Sequence, residues 1–245
     1  MIAIFKRDFF SYFTSTLGYI VIALYLLLSG FFFWMICYFS QYNSLVDVIN
    51  NMLYVVFFLI PLITMKSFAE EKRQRTDQAL LTAPVKLWEI VLGKYLSALA
   101  LYTICNLVYF FYAIVMLITI PDVSIAWGTL FAGWLGIMLL GAALLSVNLF
   151  YSSLTEYQII AAVIGMGTGL VLMLYDSIVN AILSFINTLF STSYELVVLD
   201  KLSLTAHYMN LVKGVINPAD VVFYLSWVAL FMFLTVRILD RKRWA

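Results

Sequence analysis

The sequence predicts an all-α polytopic membrane protein. Six transmembrane helices are expected, preceded by an N-terminal interfacial helix and interrupted by a cytoplasmic helical hairpin between helices 2 and 3. Three observations carry this. Six stretches, Leu17–Phe39, Met52–Met65, Tyr95–Ile120, Ile125–Phe150, Tyr157–Tyr175 and Val221–Val236, contain no Asp, Glu, Lys, Arg or His. Most reach or approach the ~20 residues a helix needs to cross ~30 Å of hydrocarbon. The chain is 64% hydrophobic and 11% charged, more apolar than a soluble domain can hide. Finally, alternating the sides of the six spans puts 12 of the 14 Lys and Arg residues on one face, leaving only Lys201 and Lys213 on the other. The positive-inside bias makes the basic face cytoplasmic and places both termini there, in a bacterial inner (plasma) membrane.

Residues 1–16 precede the first span. Ile2, Phe5, Phe9 and Tyr12–Phe13 recur near i, i+3, i+7 and i+10, with Lys6, Arg7, Asp8 and Ser11 between them. That pattern suits a helix lying in the interface, apolar face in lipid and basic face toward headgroups. The first span extends past Gly30 and lacks a small-x-small cleavage site, so it reads as a retained helix and not a signal peptide. A short outer loop, Ser40–Asn50, leads to the second span, where Pro61 removes a helix hydrogen bond and predicts a kink.

Residues 66–94 form the largest cytoplasmic segment. Lys66/Glu70, Glu71/Arg75 and Arg73/Asp77 are opposite charges at i,i+4, which extends the second span as a helix. Thr82-Ala83-Pro84 breaks it, and a proline early in the next helix is favourable. A second helix through Leu87, Trp88, Ile90 and Val91 enters span three, leaving a small apolar tip at Leu80, Leu81 and Val85.

Pro121-Asp122 turns the third span into the fourth, and Tyr151–Tyr157 turns the fourth into the fifth. Gly165 and Gly169 in the fifth are small residues at i and i+4, the spacing that lets backbones approach closely in lipid. Spacing alone leaves open whether they meet a neighbouring helix or a second protomer. The outer segment 176–218 is amphipathic: Ile178–Phe190 reads as a re-entrant or surface helix, and Thr205–Val215 as a second short one ended by Gly214 or Asn217-Pro218. The last span closes on Arg237-Ile-Leu-Asp-Arg-Lys-Arg-Trp, a cationic anchor with one tryptophan.

Several classes are excluded. A net charge of +1 argues against nucleic acid. The central portions of the spans contain no Asp, Glu, Lys, Arg or His, which ion-coupled carriers usually keep there, and no filter-forming loop is evident. Gly93-Lys94 is followed by Tyr95 and lacks the upstream glycine of the nucleotide-binding P-loop. Cys37 and Cys105 fall in apolar spans, and His207 is the only histidine, so no metal, cofactor or hydrolase triad is expected.

The segment Leu62-Ile-Thr-Met-Lys-Ser-Phe-Ala-Glu-Glu-Lys-Arg-Gln-Arg-Thr-Asp-Gln-Ala-Leu-Leu-Thr-Ala-Pro84 resembles the ABC-2 type transporter permeases. More narrowly, it is similar to their gliding-motility-type group and the permease of nitrous-oxide-reductase maturation. Ser152–Gln158, Lys213–Ser226 and Phe233–Trp244 are similar to the same group. That group often carries Gly-Thr where this chain has Arg75-Thr76. The resemblance implies a permease subunit, with a second copy or related permease, driven by a cytosolic ABC ATPase dimer. An auxiliary subunit with an extracytoplasmic domain is a further implied partner. It also implies that Glu70–Val85 is the coupling element for export or for mechanical signalling. Within that element Glu70, Glu71, Arg73, Arg75 and Thr76 supply charge and polarity, while Leu80, Leu81, Pro84 and Val85 supply an apolar tip. Glu156 in the second inner turn is a further contact candidate. The alternative is a non-transporting membrane scaffold for extracytoplasmic partners.

Overall fold

Residues 1–39, 44–76, 85–120, 124–190 and 203–243 are described by the structure, a computed structural model. Among them every regular element is a helix. The chain runs α1 (Ile2–Thr14), α2 (Thr16–Phe33, continued by a π-helical end, Trp34–Phe39), α3 (Leu45–Thr64), α4 (Ala69–Arg73) and α5 (Leu87–Asn106). It continues with α6 (Val108–Thr119), α7 (Trp127–Leu154), α8 (Gln158–Phe190), α9 (Leu204–Val212) and α10 (Pro218–Arg243). Six helical runs are long and apolar enough to cross a membrane: Thr16–Phe39, Leu45–Arg73, Leu87–Thr119, Trp127–Leu154, Gln158–Ser184 and Pro218–Arg241.

Side-chain caps set where the spans begin. Ser15 accepts from the Gly18 amide at the corner between α1 and α2, and Ser44 accepts from the Asp47 amide at the start of α3. The Ser44 cap is why α3 begins well before the apolar stretch that marks it in sequence. α3 and α7 make the centre of the bundle and pack on one another. Val48, Ile49, Met52, Val56 and Ile60 of α3 are fully buried, as are Leu140, Ala143, Leu145 and Leu149 of α7. α2 packs on α3, α1 on α5, and α10 on α7, while α8 and α10 keep most of their apolar surface facing outward.

A polar layer crosses the bundle between α2 and the α5–α6 junction. Tyr25 donates its hydroxyl to Asn106 Oδ1 at 2.8 Å and lies 2.9 Å from the Tyr109 hydroxyl; Ser29 and Tyr112 pair at 3.0 Å. With no water in a bilayer core, such groups must find partners within the protein.

This layer explains one departure from the sequence reading. Tyr95–Ile120 reads as one unbroken helix, yet the helix pauses at Leu107. Thr103 Oγ1 donates to Leu99 O and Asn106 Nδ2 to Tyr102 O, so side chains compete for helix carbonyls next to the break. A second departure is α8, which runs without interruption to Phe190, so Ile178–Phe190 is not a separate helix. Asp176 interrupts the apolar pattern but not the backbone, because no Gly or Pro lies between Gly169 and Phe190. The other expected helix of that segment is α9, stopped by Gly214 at φ +84°.

A third departure concerns the arm after the second span. The helix is broken by a turn at 65–68, α4 spans only 5 residues, and Arg75 at φ +56° ends it in the left-handed region that favours glycine. Asp77, Leu80, Leu81 and Pro84, with the break at Thr82-Ala83-Pro84, lie outside the described residues, as do Pro121-Asp122 and 191–202.

Gly165 and Gly169 turn inward, within one chain. A Cβ at Gly165 would overlap Asn148 Oδ1 of α7 and press on Pro61 of α3; at Gly169 it would meet the Phe57 carbonyl oxygen at 3.0 Å. Phe57 is four residues before Pro61, so its carbonyl is the one that proline cannot serve. The carbonyl that Pro61 leaves free in α3 and the glycines of α8 therefore fit one another. Gly165→Ala should destabilise the fold by about 1–3 kcal/mol through overpacking. Thermal unfolding in detergent checks this, with Gly167→Ala, which meets nothing within 4 Å, expected to be silent or mildly stabilising.

Candidate functional site

Lys94 is a cation with 2% of its side chain exposed, immediately before the charge-free part of α5. Removing an ammonium from water costs several kcal/mol unless charge and hydrogen bonds replace the lost solvent. Three oxygens do so: Ser67 O at 2.7 Å, Glu71 Oε1 at 2.8 Å and Asp8 Oδ2 at 3.1 Å. The buried Phe68 ring adds a cation–π contact, its centroid 5.1 Å from Lys94 Nζ.

Each oxygen arrives on a different element for a local reason. Asp8 follows Ile4 and precedes Tyr12 by one turn, so these residues share the face of α1 that meets α5. Ile4 fills the space beside Gly93, and Tyr12 donates its hydroxyl to Ile63 O of α3 at 3.2 Å. Burial pushes the Tyr12 phenol up to about 12; a hydrogen bond with Ser67 opposes the rise and the Asp8 carboxylate adds to it. Glu71 stands in the first turn of α4 and also accepts from Arg7 Nη2 at 2.5 Å. Burial pulls the Arg7 guanidinium down, but Asp8 (2.8 Å) and Glu71 outweigh it and hold it above its usual value.

The other side of α4 is tied to the end of α7. Ser152 Oγ accepts from the Phe68 and Ala69 amides at 3.1 and 3.2 Å and donates to Met65 O at 3.3 Å. Buried Lys72 donates to the Ser153 carbonyl. Ser152 thus takes the free amides at the start of α4, which is why the chain turns there instead of extending α3. α4 is held between α1 and α5 on one side and α7 on the other. A polar groove of about 360 Å³ runs along it, lined by Ser11, Lys66, Glu70, Gln74 and Thr76 together with the ion-pair residues.

The candidates from sequence separate into two sets. Glu71 faces inward, so its expected i,i+4 partner Arg75 is replaced by Arg7 and Lys94. Arg73, Arg75 and Thr76 are exposed, Glu70 is half-buried and accepts from Gln74 Nε2 at 3.3 Å, and Val85 packs against the core. Glu156 is exposed in the turn between α7 and α8. Asp8, Lys94, Ser152 and Lys72 are what sequence reasoning missed. Their partners lie 86, 64 and 84 positions apart along the chain in the Lys94–Asp8, Arg7–Glu71 and Ser152–Phe68 pairs, which no local spacing can reveal. The one available signal was an acid among basic residues in α1 and a lone lysine at the mouth of a span.

The arrangement is a network of ion pairs and hydrogen bonds that joins α4 to α1, α5 and α7. Among the described residues no His, Cys, Asp and Glu group could hold a metal ion. Residues 3–239 match the family model described as ABC-2 family transporter protein. No curated protein matches the chain.

Lys94→Met leaves Asp8 and Glu71 beside one another without their buried cation. The expected loss is about 3–5 kcal/mol, read as a lower unfolding temperature in detergent. Adding Asp8→Asn to Lys94→Met should recover part of it, because only one carboxylate is then left to share Arg7.

Proposed function

The chain belongs to the ABC-2 family of transporter proteins, a multi-pass membrane component of transport, and from that premise we propose that it is a permease subunit worked by a separate cytosolic ATPase. The observation that carries this reading is α4, a short charged helix clamped to α1, α5 and α7 and exposed at Arg73, Arg75 and Thr76. A helix so held cannot be pushed without moving what holds it. Force applied at the segment 70–85 passes through Glu71 to α1 and α5 and through Ser152 and Lys72 to α7. Rigid-body rocking of packed helices is the motion such a joint favours.

In this reading the basic end of the bundle faces the cytoplasm of a bacterial inner membrane, with both termini there, and α1 lies along the membrane interface. Phe10, 61% exposed on α1, then points to lipid. Two permease chains, two copies or this chain with a relative of the gliding-motility or nitrous-oxide-reductase-maturation type, would enclose the path with two ATPases beneath. Arg73 and Arg75 orient the ATPase by charge, while Leu80, Leu81 and Pro84 supply an apolar tip and Glu156 a second contact. Energy enters from the ATPase, and the permease itself is no enzyme. Its product is export of a cargo or a pull on an auxiliary subunit outside.

Two variants separate contact from transmission. Arg73→Glu with Arg75→Glu should lower recovery of the ATPase in native co-purification at least tenfold. Glu71→Gln should leave recovery intact but allow an ATP-dependent change in distance between spin labels at Ser11 and Gln74 that the clamped, unaltered chain does not show. An ATPase that is never recovered with the unaltered chain sinks the reading. ATPase turnover in vesicles that is indifferent to the permease would favour a scaffold.

A further inference from the structure

Arg237 and Arg241 stand where the last apolar span gives out, and the α4 joint does not use them. Leu234, Arg237, Ile238 and Arg241 recur at i, i+3, i+4 and i+7, so α10 carries them on one face. With Phe150, near the end of α7, and Asp240 they line a groove of about 550 Å³. That lies within the about 300–1,000 Å³ typical of small-molecule sites.

The lining is divided by chemistry. Phe150, Leu234 and Ile238 form an apolar wall, with Phe150 held edge-on to Phe231 at 5.7 Å. Arg237 and Arg241 are exposed and, among the described residues, form no ion pair. Arg237 instead lies over the Phe233 ring at 5.0 Å, which steadies the guanidinium without neutralising it. Two cations and one carboxylate leave the lining with a net charge of +1.

A soluble anion would engage the arginines and leave the apolar wall unused. A second copy apposed through this face would set the arginines against their own symmetry mates. We propose that the groove binds an anionic phospholipid. Its phosphodiester, with one negative charge, sits between Arg237 and Arg241, planar donors suited to two-pronged phosphate contacts. An acyl chain lies along Phe150, Leu234 and Ile238 toward the hydrocarbon. Zwitterionic lipids bring their own cation to a positive lining and bind less well. Because the groove joins α7 to α10 two residues before Ser152, the lipid braces the end of α7 that holds α4.

The test uses the full chain in nanodiscs of phosphatidylcholine with one-fifth phosphatidylglycerol, followed by native mass spectrometry of the retained lipids. The unaltered chain should retain phosphatidylglycerol at least fivefold above its share in the bilayer. Arg237→Gln with Arg241→Gln should return the ratio to that share. Ile238→Trp keeps both cations but fills the groove, and should do the same; Arg73→Gln should not. Enrichment that survives Ile238→Trp would mean headgroups merely gather near charge, and would overturn the site. So would enrichment that survives the double variant, equal retention of both lipids, loss of the lipid to added inorganic phosphate, or a dimer that carries no lipid.

Discussion

A buried lysine at the mouth of a membrane span is the constraint on which the basic end of this protein depends. Lys94 can be dehydrated only if Asp8 and Glu71 stand beside it, and each acid belongs to a different short element. α1 has no fully buried residue and α4 is 5 residues long. The cation supplies an anchor that is short-ranged and costly to break, so both helices are positioned by the same few atoms.

Ser152 is the counterpart on the far side of α4. One hydroxyl receives two amides and gives its proton to a carbonyl, and so decides that α3 ends and α4 begins at a defined angle. Pro61 and Phe57 of α3 are matched by Gly165 and Gly169 of α8 in the same economy of backbone groups. In lipid, where apolar surface gains nothing by meeting other apolar surface, close backbone approach and satisfied polar groups hold helices together. The tyrosine and asparagine layer between α2 and α5 serves that end deeper in the bundle. Through the contacts of Lys94, Glu71 and Ser152, α4 is joined to α1, α5 and α7.

Much of the fold was legible because the bilayer imposes it. The six spans follow from the lack of charge over lengths matched to hydrocarbon, and the α9 stop follows from a glycine signal. The misreadings came from treating polarity as structure. Asp176 changes the surface of α8 without ending it, and unbroken hydrophobicity over Tyr95–Ile120 conceals a pause made by Thr103 and Asn106. At the candidate site, local spacing assigned Glu71 to Arg75, the nearest opposite charge in sequence. The fold offered a buried cation instead, and a carboxylate gains more from that than from an exposed neighbour.

The sequence by itself determined that this chain spans a membrane six times and which face is basic. Those properties are sums over residues and need no knowledge of what touches what. Tertiary structure alone decided that Glu71 faces in while Arg73 and Arg75 face out, that Gly165 and Gly169 serve neighbouring helices of the same chain, and that Lys94 holds Asp8. Such choices depend on side chains brought within about 3 Å of one another from distant stretches, at which range charges in a dry setting outweigh any local preference.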